Sequence, residues 1–249
     1  MAGAILTLVA FHLVTQAFVF LLGDSWAYGF VPLFDIGREK NVPTLYSALS
    51  LAACAMVLFT VAAAEREQAV SFWGYWMGLA VCFAWLAIDE ALRIHERTDE
   101  PLRAALKTSG EFCCFWIIPY GLFAIGFGAV YLRFLFGLPR HVAALFATAG
   151  AVFLAGAVGC ELLEGREAEL HGRPSVGVAV YVTLEEILEM TGIALLADAI
   201  QAYLEWKGRL LRVDWVAFGP IRRPRLTLAS PTPRVVQGPV MATDVLASE

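Results

Sequence analysis

Six apolar segments separated by short polar stretches dominate residues 1–206 of the chain. Each is long enough to cross a bilayer, which requires about 20 helical residues. The hydrophobicity runs continuously along each segment and does not alternate over ten-residue stretches, so the pattern predicts helices and not the strands of a barrel. We expect spans at residues 2–23, 43–64, 70–94, 112–136, 141–166 and 176–204.

The pattern changes after Trp206. Residues 207–249 contain seven basic residues and, from Pro220 onward, five prolines, with no apolar run of comparable length. Such a segment has no core of its own and is expected to be extended. The sequence therefore predicts an all-α integral membrane bundle of about six transmembrane helices with short loops (1–206) and an extended, basic, proline-containing cytoplasmic tail (207–249).

Composition supports a membrane protein and excludes other classes. Hydrophobic residues make up 59% of the chain and charged residues only 16%, against about 25% in an average soluble domain. The formal net charge of -5 argues against a nucleic-acid partner, which requires a basic surface. The dominance of apolar residues excludes general disorder. The lipid bilayer is therefore the first partner that the sequence predicts.

The distribution of basic residues predicts the orientation. The first segment lacks a basic leader and a clear cleavage site, so we interpret it as a retained helix. With six spans both termini lie on one side, which holds ten basic residues against eight on the other. This excess predicts that both termini are cytoplasmic in a multi-pass protein of the inner (cytoplasmic) membrane.

Acidic residues cluster in three of the predicted spans. They lie late in spans three and five and early in span six, so under this topology all three groups fall in the same half of the membrane. Glu185, for example, lies about 14 Å along span six at 1.5 Å per residue. The groups, with their nearby histidines, are Asp89, Glu90, His95 and Glu96; Glu161, Glu164 and His171; and Glu185, Glu186 and Glu189.

Carboxylates in a lipid environment cost several kcal/mol each unless they are neutralised, paired or coordinated. A metal centre is one solution, because facing helices that contribute carboxylates and histidines hold di-iron and di-manganese sites. A proton or cation pathway is a second, and ion pairs with Arg93, Arg97 or Arg166 near the membrane surface are a third. The ExxH spacing of ferritin-like proteins is absent, so a metal centre here would be a carboxylate-rich variant.

We favour the metal centre. Its oxygen-rich, thiolate-free donors predict a dinuclear iron or manganese cofactor, with calcium or magnesium as the alternatives. The sequence identifies no catalytic residue. The predicted metal ligands are Asp89, His95, Glu96, Glu161, Glu164, Glu185, Glu189 and His171, with Glu90, Glu186 and Asp198 as supporting or proton-relay groups.

Two short motifs resemble those of a loosely defined group of uncharacterised bacterial polytopic membrane proteins. These proteins carry a "DE…HE" helix end, here Asp89-Glu90…His95-Glu96, and an "EE…E..G" helix, here Glu185-Glu186…Glu189-Met190-Thr191-Gly192. The resemblance implies that these carboxylates act together. It implies no activity and no cofactor.

The functional hypothesis is a membrane-embedded metal-binding protein with its site between spans three, five and six. If it is an enzyme, an oxidoreductase acting on a lipid or quinone-like substrate is the expected class. One alternative is a proton- or cation-conducting transporter, and another is an accessory subunit of a respiratory or photosynthetic complex. Small residues at four-residue spacing in span five predict a close helix contact, within a larger complex or a homo-oligomer: Ala143, Ala147, Ala151, Ala155 and Gly159.

Overall fold

All six predicted segments form helices. The computed structural model describes residues 1–38, 40–70, 72–98, 116–173, 175–218 and 221–229, and the expected start of span four, residues 112–115, lies outside them. The helices are α1 (Ala2–Leu22), α2 (Phe30–Phe34), α3 (Val42–Glu67), α4 (Trp73–Leu92), α5 (Ile94–Arg97), α6 (Ile117–Phe136), α7 (Arg140–Leu154), α8 (Glu161–His171) and α9 (Val176–Trp206), with a 3₁₀ turn at Ala27–Gly29 and a π-helical segment at Ala155–Cys160.

Local sequence signals set the ends of the longer helices. Asn41 caps α3 by accepting a 3.1 Å hydrogen bond from the Thr44 N–H, and a proline stands in the first turn. Ser175 caps α9 in the same way through the Val178 N–H, also at 3.1 Å. Gly23 ends α1 in the left-handed conformation, with φ 67°.

Five helical stretches in the described chain are long and apolar enough to cross a membrane: α1, α3, α4, α6 and the continuous rod Arg140–His171. The chain therefore has the character of a multi-pass membrane protein. Helix α9 is the longest, at 31 residues, but falls outside this set. Its apolar run is interrupted by Glu185, Glu186 and Glu189.

Helix α9 forms the centre of the bundle and contacts α1, α3, α7 and α8. At its C-terminal end an aromatic cluster fills the core, with the Trp76 ring 4.3 Å from Tyr203 and 4.9 Å from Phe134. Further along, a β-carbon on Gly192 would lie 2.8 Å from the Phe153 backbone nitrogen, so the two helices approach at backbone contact. Glycine at position 192 thus holds α7 against α9.

The small-residue stripe of span five does not make this contact. Helix α7 buries Val142, Phe146 and Ala149 instead, while Ala147 and Ala151 lie exposed. The inward face is set by the larger side chains that fill the core. The stripe's use by a partner protein or a second copy stays a prediction.

The first part of the tail is not an isolated extended segment. It forms an antiparallel hairpin of β1 (Leu210–Phe218) and β2 (Ile221–Ala229), in register from Leu210 opposite Ala229 to Phe218 opposite Ile221. A lone two-stranded hairpin is marginal in water, and this one gains support because Leu228 packs against the helical core. Residues 230–249 lie outside the described chain.

Candidate metal centre

Three carboxylates from two helices converge beside α9. Glu161 and Glu164 lie on one face of α8, because i,i+3 positions are neighbours on a helix, and Glu185 faces them from α9. Each offers an oxygen within 4.8 Å of the other two. We call these three residues the glutamate triad.

A π-helical segment, Ala155–Cys160, leads directly into the triad. Such turns are rare and occur often at functional sites. Within this segment Gly156 packs against α9, where a β-carbon would lie 2.7 Å from the Glu185 backbone oxygen and 3.1 Å from Cγ of Glu189. Glycine at 156 therefore permits the close approach that brings Glu161 and Glu185 together.

The triad has a cationic neighbour that the sequence did not identify. Arg173, two residues after α8, forms an ion pair with Oε1 of Glu164. The Arg173 side chain is 54% exposed, whereas that of Glu164 is only 8% exposed. Arg166, one of the expected partners, is exposed on α8. The Arg173 side chain thus reaches back from the end of α8 to cover Glu164.

A second polar group forms where α4 ends. Asp89, which is 5% exposed, accepts hydrogen bonds from the backbone N–H of His95 at 3.0 Å and from the Tyr120 hydroxyl at 3.0 Å. Its other oxygen lies 2.7 Å from His95 Nδ1. Both carboxylate oxygens of Asp89 are therefore engaged in orienting neighbouring groups, chiefly the His95 imidazole.

The geometry at the end of α4 differs from that of a continuous helix. A continuous helix would align Asp89 with Glu96 and turn His95 away, but the helix breaks at Arg93, which adopts φ 53° and ψ 51°. The break lets the Asp89 carboxylate cap the next helical turn, α5, and brings His95 against it. The side chain of Glu96 lies outside the described residues.

Glu189 links the two groups. It lies one helical turn after Glu185 and within electrostatic range of Asp89, Glu90, His95 and Glu161. Charged groups from α4, α8 and the helix end after α4 thus act electrostatically on this stretch of α9. Glu186, on the adjacent face of that helix, is partly buried and engaged in contacts of its own.

Two predicted site residues are not brought into this region. His171 pairs with Glu167 at 2.9 Å near the end of α8, and its side chain is 61% exposed. Asp198 is exposed on α9, 13 residues after Glu185 and so about 20 Å further along the helix axis. The distance along α9 therefore separates Asp198 from the triad.

A buried histidine fastens α1 to α9 just before the triad. His12 is 1% exposed; its Nε2 lies 2.8 Å from the Thr183 hydroxyl, and its Nδ1 accepts the Ile36 N–H at 3.1 Å. Gln16, one turn later, donates to Asp35 at 3.0 Å. The His12–Thr183 contact positions α9 two residues before Glu185.

Comparison with known proteins gives the chain a family. No curated protein and no solved structure matches it. A family model described as "Domain of unknown function (DUF8692)" matches residues 2–200. The match includes the glutamate triad, Glu189 and the Asp89–His95 pair. The chain belongs to the DUF8692 family.

Proposed function

We propose that this protein binds a divalent metal ion through Glu161, Glu164 and Glu185. The observation that carries the proposal is the convergence of three carboxylate oxygens within 4.8 Å in a largely apolar helical bundle. Ligand oxygens on opposite sides of a hard cation lie roughly 4–5 Å apart, since metal–oxygen distances are about 2.0–2.6 Å. The triad therefore fits a divalent cation with only small side-chain movements.

Charge supports the same proposal. The triad and Glu189 place four carboxyl groups in one region, and the ion pair with Arg173 supplies one positive charge to Glu164. Buried or lipid-enclosed carboxylates require compensation, because their desolvation costs several kcal/mol each. A divalent cation bound among them would provide it.

The donor set favours iron or manganese where a nitrogen ligand takes part, and calcium or magnesium where oxygen alone is used. We propose a dinuclear form in which Glu189 and His95, with Glu90 nearby, hold a second ion. Asp89 would then orient His95, as carboxylates hydrogen-bonded to metal-binding histidines do. A bound iron or manganese pair would supply redox chemistry, suited to a lipid or quinone-like substrate.

We place α9 as a sixth span, which puts both termini on the cytoplasmic side of the inner membrane. Its length of 31 residues is sufficient, and it packs against α1, α3, α7 and α8 in the bundle. The basic residues after Trp206 agree with this orientation.

Metal analysis tests the proposal. The full chain is purified in mild detergent without chelators, and its metal content is measured by mass spectrometry. We expect stoichiometric iron or manganese, lost in Glu185→Gln. Glu169→Gln, an exposed site on α8, is the matched control and should retain the metal. Wild-type protein with less than one metal per chain, or an unchanged content in Glu185→Gln, would contradict the proposal.

Proton or cation conduction is the second candidate, and one observation favours it. Oxygens of Glu161, Glu164 and Glu185 lie within 4.8 Å of one another, and carboxylates this close favour sharing a proton because like charges disfavour ionisation of both. The triad could thus pass protons along α9. In proteoliposomes this function predicts a flux that Glu185→Gln abolishes, in protein that contains no transition metal.

A further inference from the structure

Arg173 occupies the boundary between water and the glutamate triad. It follows α8 directly after Gly172, and its guanidinium pairs with Glu164. The exposed fractions of the two side chains, 54% for Arg173 and 8% for Glu164, show that the arginine covers a carboxylate with little access to solvent of its own.

The opposite side of the triad is closed by packing. Gly156 lies against the α9 backbone at Glu185, with no room for a side chain between the helices. On α8, Gly165 is buried next to Glu164. Glu161 and Glu185 are themselves partly exposed, so the carboxylate whose access Arg173 controls is Glu164.

We propose that Arg173 gates the binding of a divalent cation by Glu164, the buried member of the triad. The inference rests on the proposed metal-binding function and adds a means by which ion binding is regulated. The guanidinium must leave Oε1 of Glu164 before that oxygen can ligate an ion, and its positive charge repels the approaching cation until it does. An arginine keeps its charge at every physiological pH, so the gate opens by breaking the ion pair and not by deprotonation.

Rates of Mn²⁺ association test the gate. The full chain in detergent, stripped of metal, is mixed with Mn²⁺ in a stopped-flow instrument, and association is followed by the change in intrinsic tryptophan fluorescence. Removing a like charge from the mouth of a binding site raises on-rates by about tenfold or more. We expect this increase in Arg173→Gln and in Arg173→Met, which keeps a long side chain without the charge.

Two variants serve as controls. Arg173→Lys retains the charge and should associate at a rate within about threefold of wild type, less than the effect of removing the charge. Arg166→Gln removes an exposed positive charge from α8 that does not cover Glu164 and should leave the rate unchanged.

The outcomes separate the gate from the metal site. Equal or slower association in both neutral Arg173 variants, with Mn²⁺ still bound at equilibrium, would overturn the gate and leave the metal site standing. Faster association in Arg173→Lys, matching the neutral variants, would also overturn it. Absence of Mn²⁺ binding in wild type and all variants would overturn the gate and the metal site together.

Discussion

Gly156 and Glu185 lie so close that a β-carbon on the glycine would be 2.7 Å from the backbone oxygen of the glutamate. This contact joins the π-helical segment to α9 and sets the distance between the two helices that supply the triad. The proposed metal site and the packing of the bundle therefore depend on the same position.

Gly156→Ala should separate these helices. The added methyl group meets backbone, which cannot rotate away, and overpacking of this kind costs about 1–3 kcal/mol. We expect a lower melting temperature and reduced metal content. Gly159→Ala is the control, since a β-carbon there meets nothing within 4 Å. Equal effects of the two substitutions would show that the contact does not position the triad.

Asp89→Asn should disturb the orientation of His95. The amide can keep one accepting oxygen, but it loses the charged acceptor that now lies 2.7 Å from Nδ1. Hydrogen bonds to charged groups contribute about 1.5–3 kcal/mol, so a measurable loss of thermal stability is expected. If His95 holds the second ion, metal content falls toward one per chain. Tyr120→Phe removes only a neutral donor and should have the smaller effect on both measurements.

Lys207→Met should destabilise the opposite end of the bundle. Its Nζ lies 3.1 Å from Oε2 of Glu65, a carboxylate 1% exposed at the end of α3. Removing one partner of a buried ion pair costs about 3–5 kcal/mol, because the other charge is left uncompensated. Glu65→Gln in the same chain should recover part of the loss, which a double-mutant cycle measures by thermal unfolding. Strictly additive effects would rule out the pairing.

Acid should weaken the contact between α1 and the loop before α3. Burial raises the pKa of Asp35, but its contacts with His12, Arg38 and the Gly37 N–H outweigh burial and hold that pKa below the usual 3.8. The carboxylate therefore stabilises the fold fully above pH 3.8 and loses this effect as the pH falls through the lower folded-state value.

Melting temperatures measured from pH 5 down to pH 2.5 check this expectation. Wild type should lose stability below about pH 4 more steeply than Asp35→Asn, since the amide cannot titrate. Asp198→Asn, at an exposed position on α9, is the control and should follow the wild-type profile. Parallel curves for wild type and Asp35→Asn would contradict the role of this carboxylate.

Much of the helical architecture was predictable, because continuous apolar runs determine where helices form. The i,i+3 spacing of Glu161 and Glu164, together with the early position of Glu185 in its helix, also predicted their shared depth. The hairpin was not predicted, since the tail was interpreted from its charge and proline content. The hairpin is supported by packing against the bundle, where Leu228 contacts the helical core.

The details of the site depend on tertiary contacts that composition and spacing do not reveal. The left-handed turn at Arg93 accompanies the capping of the next turn by the Asp89 carboxylate, and it brings His95 against Asp89. The pairing of Arg173 with Glu164 joins residues nine positions apart across the end of α8, which spacing along a helix does not predict.

X-ray absorption spectroscopy at the metal edge of the purified protein tests the central claim most directly. The glutamate triad predicts a first shell of oxygen, with nitrogen where His95 takes part, at about 2.0–2.2 Å for manganese or iron, as for other small divalent ions with oxygen ligands. This shell should be lost in Glu185→Gln and retained in Glu169→Gln. A first shell dominated by sulfur near 2.3 Å, or one unchanged by Glu185→Gln, would contradict a metal site built on these carboxylates.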